Sequence, residues 1–268
     1  MDEPAAGALP IDALHLALSG VFVLAAGLLS LALRLGIESR LAVASLRTVV
    51  QLLLVGYVLG WVFALESPLI VLAVATIMIA AAARAAVARS SRTYRGATIG
   101  AFAMLAVTAL VTTLATTELV IGVTPWWRPQ YVIPLLGMVL GNGLTGMSLC
   151  LDTLLESLDA QRARVETELA LGATRWEAAR APLRDSIRRG MIPMINAMMV
   201  VGVVSLPGMM TGQILEGADP LVAVRYQIVV MFMLAGATTF GCVLLALFTY
   251  SRLFTARHQL RPDRISRR

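Results

Sequence analysis

The side chains that could do chemistry are few and scattered. Two histidines, His15 and His258, lie near opposite ends of the chain, and all 22 basic residues are arginine, with no lysine anywhere. A P-loop needs a lysine on the nucleotide phosphates, and a retinal-type Schiff base needs one as its amine, so both mechanisms are excluded. A serine–histidine hydrolase is equally hard to assemble from histidines so placed. Cys150 and Cys242 each fall in an apolar run without paired spacing and read as buried free thiols rather than a disulfide or a metal pair. Met191, Met194, Met198, Met199, Met209 and Met210 form the densest group of soft donors. Thioethers favour Cu(I) over hard cations, but with no cysteine or histidine beside them these methionines read as flexible core packing. No carboxylate or histidine cage for a hard metal stands out, and the residues leave open whether the chain holds any metal.

Polar and helix-breaking residues inside apolar sequence mark a second kind of candidate. The stretch "SLPGMMTGQ" places Pro207, Gly208, Met209, Met210 and Gln213 within one apolar segment. Proline removes a backbone donor and glycine lowers helix stability, so the helix is expected to break or kink there. Broken helices at membrane depth survive where protein buries them or a cavity passes, which reads as part of a translocation path or its outer gate, against a plain packing kink. Asn142, in "GMVLGNGLTG", could hydrogen-bond across helices or line that path. Gly137 with Gly141, and Gly56 with Gly60, have the G-x-x-x-G spacing that lets helices approach closely. Arg47, Arg84 and Arg225 lie near segment ends and can snorkel to the interface. Arg47 with Gln51 one turn later is a further path candidate.

A charged stretch interrupts the apolar sequence: "ETELALGATRWEAARAPLRDSIRRGMIP", from Glu166 to Pro193. One helix is expected from about Asp159 to Leu171, ended by Gly172 as the C-terminal glycine. Thr174 then starts a second helix, and Glu177 three residues on completes a capping box. That helix is expected to run toward Arg189, kinked at Pro182, before Pro193 enters the next apolar segment. A knuckle of this kind can dock into a groove on a partner; the competing reading is an ordinary solvated loop.

The elements that position these residues follow from hydropathy. The chain has 268 residues, 58% of them hydrophobic and 14% charged, with a mean hydropathy of +0.80. This is membrane-protein composition. Seven apolar spans are expected at about 11–33, 43–64, 68–88, 97–121, 131–151, 191–213 and 221–251. The second begins in the amphipathic sequence "GIESRLAVASLRT", which suits an interfacial turn. The segments after spans 1, 3, 5 and 7 hold 2, 3, 7 and 6 arginines; the N-terminus and the segments after spans 2, 4 and 6 hold 0, 0, 1 and 0. The positive-inside rule then places the N-terminus outside and the C-terminus in the cytoplasm, with "TPWWRPQY" as an outer aromatic belt. The arginines are topology signals, so no nucleic acid is expected as a partner. Met1–Pro10 is acidic and does not read as a cleavable signal. The expected fold is therefore all-α and polytopic: residues 1–255 form one transmembrane domain with a cytoplasmic segment at about 156–190, and 256–268 form a basic tail, frayed and in contact with anionic lipid.

The charged knuckle resembles the EAA loop of ABC-transporter permeases. Glu166, Leu171, Gly172, Ala173 and Thr174 match the pattern E-x-x-x-x-L-G-A-T, while Thr167 and Glu168 stand where that loop usually carries two alanines. The flanking stretches "SLRTVVQLLLVGYVLGWVF", "PLLGMVLGNGLTGMSLCLDTL" and "VVSLPGMMTGQILEGADPLVAVRYQIVVMFML" closely resemble the FetB-like iron-export permease family, which includes plant membrane proteins linked to aluminium tolerance. The resemblance covers about residues 40 to 255 and implies a seven-span permease of the cell membrane (the inner membrane of a bacterium). It further implies a separate ABC ATPase subunit, a permease homodimer and export of iron or another metal. Glu166, Glu168, Leu171, Gly172, Ala173, Thr174 and Arg175 would form the coupling helix region that meets the ATPase. No cofactor is then expected on this chain, with ATP on the partner subunit, and no enzymatic activity of its own. A self-sufficient channel or secondary transporter, and a seven-span receptor or sensor, are the competing readings; a membrane enzyme comes last.

Overall fold

The computed structural model describes residues 11–65 and 67–267. Met1–Pro10, on which the expectation of no cleavable signal rests, lies outside them. The described chain is mostly helical. Six helices are long and apolar enough to cross a membrane: α1 (Ala13–Ala32), α2 (Glu38–Leu65), α3 (Pro68–Ala88), α4 (Ala97–Leu114, continuing as a π-helical turn to Ile121), α5 (Pro129–Ala160) and α9 (Pro220–Leu253). They coincide with six of the expected spans. Between α5 and α9 lie α6 (Arg162–Ala170), α7 (Arg175–Val200) and α8 (Gly208–Leu215).

The chain forms two compact units. The described part of the first is residues 11–65, Ser67 and Gly212–Ala218. Within it the α1–α2 turn is tied by Ser30, whose hydroxyl donates to Glu38 Oε1 at 3.0 Å. Leu35 N–H also closes onto the Ser30 carbonyl at 2.9 Å. Helix α2 runs from Glu38 onward, directly after this turn.

The second unit is Pro68–Thr211 with Asp219 to the C-terminus. At its centre is α5, packed against α3, α4, α7 and α9. The buried face of α5 runs from Val132 through Leu136, Val139, Met147, Leu151 and Leu155 to Leu158, the helical stripe that repeated apolar positions produce. Where α5 meets α7 the backbones touch. A Cβ on Gly190 would lie 2.8 Å from the Gly146 carbonyl oxygen, and one on Gly146 would lie 2.9 Å from the Gly190 carbonyl oxygen. Cys150 and Cys242 are both free and buried at this crossing, the Cys150 thiol donating to the Cys242 carbonyl at 3.7 Å. The close contacts therefore fall on neither expected G-x-x-x-G pair. At Gly56, Gly60 and Gly141 an added Cβ would meet nothing within 4 Å of this chain.

Three expectations are corrected. The second charged helix does not stop near Arg189. It runs unbroken through Pro182 and Pro193 to Val200 as one 26-residue helix, because packing on α5 and α9 compensates the two lost backbone bonds. The span expected at 191–213 is thus divided between the end of α7 and α8, with 201–207 between them. The tail is not frayed. Strand β2 (Ile265–Arg267) pairs antiparallel with β1 (Arg92–Tyr94). Leu260 is 8% exposed, and Asp159 on α5 accepts from Arg92 Nε at 2.9 Å and lies 3.5 Å from Arg267 Nη2. The arginine-rich segments after α3, α5 and α9 therefore meet at one end of this unit.

Replacing Gly190 by valine should drive its side chain into the α5 backbone and destabilise the protein by about 1–3 kcal/mol or more. Gly141→Ala, facing open space, should stay within about 0.5 kcal/mol. Thermal unfolding in detergent, followed by tryptophan fluorescence, checks both; equal melting of G190V and wild type would contradict the crossing.

Candidate functional site

The charged knuckle is built from local signals. Helix α6 ends in a Schellman motif. Gly172, at φ +95°, donates to the Leu169 carbonyl at 3.1 Å, and Ala173 N–H donates to the Glu168 carbonyl at 3.0 Å. Two residues later Thr174 caps α7. Glu177 N–H donates to Thr174 Oγ1 at 3.3 Å, and Glu177 Oε2 accepts from the Thr174 N–H at 2.7 Å. This is the reciprocal capping box that the spacing predicts. The hydrogen bond from the Thr174 hydroxyl, then that from its backbone, hold the Glu177 carboxyl below the ordinary glutamate range, with nearby His258 adding to the effect. Glu166 and Glu168 are paired within their own helix, to Arg162 at 2.7 Å and Arg164 at 2.9 Å. Leu171 is 83% exposed at the apex.

The tail completes this region in a way that local sequence did not foretell. Arg175 N–H, an orphan donor of the first turn of α7, donates to His258 Nδ1 at 2.9 Å. The Arg175 guanidinium donates to the Thr255 carbonyl at 3.3 Å and lies 5.7 Å from the centroid of the Tyr250 ring. Trp176 meets Tyr250 edge to face at 5.8 Å. Tyr250, Thr255 and His258 thus hold the knuckle, and the only prior signal was a lone histidine in a basic tail. Between α6 and the tail lies a groove of about 560 Å³, with Glu166 and Leu169 on one side and His258, Arg261 and Asp263 on the other.

The second candidate lies at the far end of α7. After Val200 the chain turns at Gly202, whose φ is +82°, closes a bond from Gly202 N–H to the Ser205 carbonyl at 2.9 Å, and re-enters helix at Gly208. The break therefore starts seven residues before Gly208, earlier than the Pro207–Gly208 step that prompted it. Next to it is a cavity of about 380 Å³ lined by Met138 and Asn142 from α5, by Pro207, Gly208 and Met209, and by Gln227 and Met231 from α9, among others. Met210 lines an adjoining cavity of about 410 Å³, which shares Gln227 and Met231. Asn142 donates from Nδ2 to the Met138 carbonyl at 3.0 Å, so its bond stays within α5. Gln227 is 6% exposed, and its Oε1 is buried without a hydrogen-bond partner. Gln227 was legible only as a polar residue within an apolar span, a pattern that flags function by default.

The other path candidates are not part of the lining of these cavities. Arg47 and Gln51 are exposed, one turn apart on α2, with no mutual hydrogen bond among the described residues. Gln213 lies on α8, its Oε1 buried and unpartnered. Met194 is buried in the core, and Met191 and Met198 pack against it. No cluster of three or more histidine, cysteine, aspartate or glutamate side chains able to hold a metal occurs among the described residues.

Apolar helices of this number and length define a multi-pass membrane protein. The chain belongs to the uncharacterised protein family UPF0014, whose model matches residues 13–254. It is 37% identical over 254 residues to "UPF0014 membrane protein YjkA" of Bacillus subtilis, covering 94% of this chain and 100% of that one. It is 34% identical over 245 residues to "Probable iron export permease protein FetB" of Escherichia coli, covering 91% and 93%. It is 32% identical over 240 residues to "Protein ALUMINUM SENSITIVE 3" of Arabidopsis thaliana, covering 90% and 86%. The resemblance to FetB-like and plant aluminium-related proteins thus holds over nearly the whole chain. No solved structure matches it.

The capping box makes a prediction with a definite sign. A carboxyl whose folded pKa is depressed stabilises the fold above its unfolded pKa, and that contribution vanishes as pH falls through the lower folded value. Amide exchange in the first turn of α7, corrected for intrinsic rates, should therefore accelerate as pH drops below the ordinary glutamate range, and the Glu177→Gln variant should lack that step. Thr174→Ala should cost about 1 kcal/mol of local stability at neutral pH.

Proposed function

We propose that this chain is the permease subunit of an ABC transporter, exporting iron or another metal with ATP hydrolysed by a separate subunit. The observation that carries the reading is the continuity of α7. One helix, roughly 39 Å long at 1.5 Å per residue, joins the capped knuckle at Thr174 to the broken segment and cavity beyond Val200. A displacement applied at one end of a packed helix is delivered at the other. The knuckle offers an exposed leucine and a rigid turn to a groove on an ATPase. The chain has no lysine for a P-loop, which fits hydrolysis on a partner.

In this reading the knuckle, the arginine-rich segments and the tail face the cytoplasm, and the N-terminus lies outside. The end of α7 with α8 makes the seventh, interrupted crossing. Two permease chains pair, so that two knuckles engage two ATPase subunits. ATP binding draws the ATPases together, and α7 carries that motion to the cavity. The relative named as a probable iron export permease supports a metal as cargo.

Gly172 has φ +95°, where a β-branched residue is strained by about 1–3 kcal/mol. Gly172→Val should leave a folded protein that no longer couples ATP hydrolysis to transport in proteoliposomes with its ATPase. A cysteine at Leu171 should crosslink to that ATPase. Undiminished coupled transport by the valine variant, or a Leu171→Cys chain that crosslinks to no nucleotide-hydrolysing protein, would refute the assignment. Transport in liposomes by this chain alone would favour a channel or secondary transporter instead.

A further inference from the structure

We propose that the cavity beside the 201–207 break binds a soft monovalent cation, Cu(I) or its analogue Ag(I), through the thioethers of Met138, Met209 and Met231 and the side-chain oxygen of Gln227. Its place on a transport path rests on the permease reading above; the binding itself does not.

The three sulfur-bearing side chains come from three elements, α5, α8 and α9, and line one cavity. In sequence they are far apart, and Met209 there belonged to a methionine group that reads as packing. Gln227 supplies the independent sign of a ligand. It is more than nine-tenths buried, it lines the same cavity, and its Oε1 has no hydrogen-bond partner. An unpaired buried amide oxygen is costly, so it should serve a donor or a cation that enters. The amide of Asn142, the other amide in the lining, donates to its own helix.

The charge and hardness of the lining select the cation. Met138, Asn142, Ser205, Met209, Gln227 and Met231 are its non-aliphatic members, and none is ionised. A divalent or trivalent hard ion would have to shed its water with no carboxylate to replace it, which is prohibitive in a low-dielectric site. An anion would find no positive charge. A d¹⁰ monovalent ion carries the smallest desolvation cost, accepts low coordination numbers and prefers thioether sulfur. A neutral cage of this kind binds without trapping, as a transport path requires.

Full-length protein in lipid nanodiscs is titrated with Cu(I) under reducing conditions against bicinchoninate, and with Ag(I) as a redox-inert probe. Fe(II) is run in parallel, and the C150S/C242S background excludes the buried thiols. One Cu(I) or Ag(I) site per chain is expected in that background. The volume-conserving triple variant M138L/M209L/M231L should weaken it by more than about tenfold, with its thermal transition retained. Q227L should weaken it as well, and it decides the matter if the triple variant melts early. Unchanged Cu(I) affinity in these variants, disappearance of the site with the two cysteines, or tighter binding of Fe(II) than of Cu(I) would each overturn the proposal. The titration needs no ATPase, so a chain that binds Cu(I) without coupling to ATP, and one that couples without binding Cu(I), are told apart.

Discussion

The contact on which both candidate sites depend is the backbone crossing of α5 and α7 at Gly146 and Gly190. Each glycine faces the other helix's carbonyl oxygen at a distance that leaves no room for a side chain. In a hydrocarbon environment the hydrophobic effect does not press helices together, so small residues and dense packing do that work. With α7 pinned there, the knuckle at its N-terminus and the broken segment at its C-terminus are two ends of one element. Around the central α5, α9 packs on both α5 and α7, while α3 and α4 lie against α5.

The polar end of the same unit is held by different physics. Asp152 accepts from Ser90, from the Ser91 backbone and from the Ser91 hydroxyl, while Asp159 gathers Arg92 and Arg267. These bonds join the short segment after α3, the end of α5 and the tail. Because they lie where water can reach, each ion pair is worth little by itself. Their effect is to fix geometry: the tail is brought to the knuckle, and His258 can satisfy the first orphan donor of α7. A knuckle so braced is a firmer docking element than a flexible loop, consistent with the coupling role proposed for it.

At the other end, the cavity is as notable for what its lining lacks as for what it has. Hard-metal sites rely on carboxylates, and no described carboxylate is part of that lining. Soft sulfur and one orphan amide oxygen remain, beside the break at 201–207. Kinship with a protein named for iron export and a lining better suited to a soft cation are compatible, if cargo choice differs among members of one family.

Six of the seven apolar spans, the arginine alternation, the Schellman glycine and the capping box were legible in the sequence, because each depends on residues within one or two helical turns. Length against bilayer thickness settles a span; Thr174 and Glu177 cap a helix whatever surrounds them. What lies beyond that reach was decided by tertiary structure. Pro182 and Pro193 signal breaks locally, yet α7 runs through both because neighbours on two sides outweigh two missing bonds. The tail looked too polar to order, yet β1, 173 residues away from it, supplies the strand that Ser266 pairs with. The G-x-x-x-G pairs looked like contact faces, but the contact went to Gly146 and Gly190, which no spacing rule connects. Met138, Met209, Gln227 and Met231 share no motif; only the folding of α5, α8 and α9 around one space makes them neighbours, since side-chain chemistry is encoded locally and convergence is not.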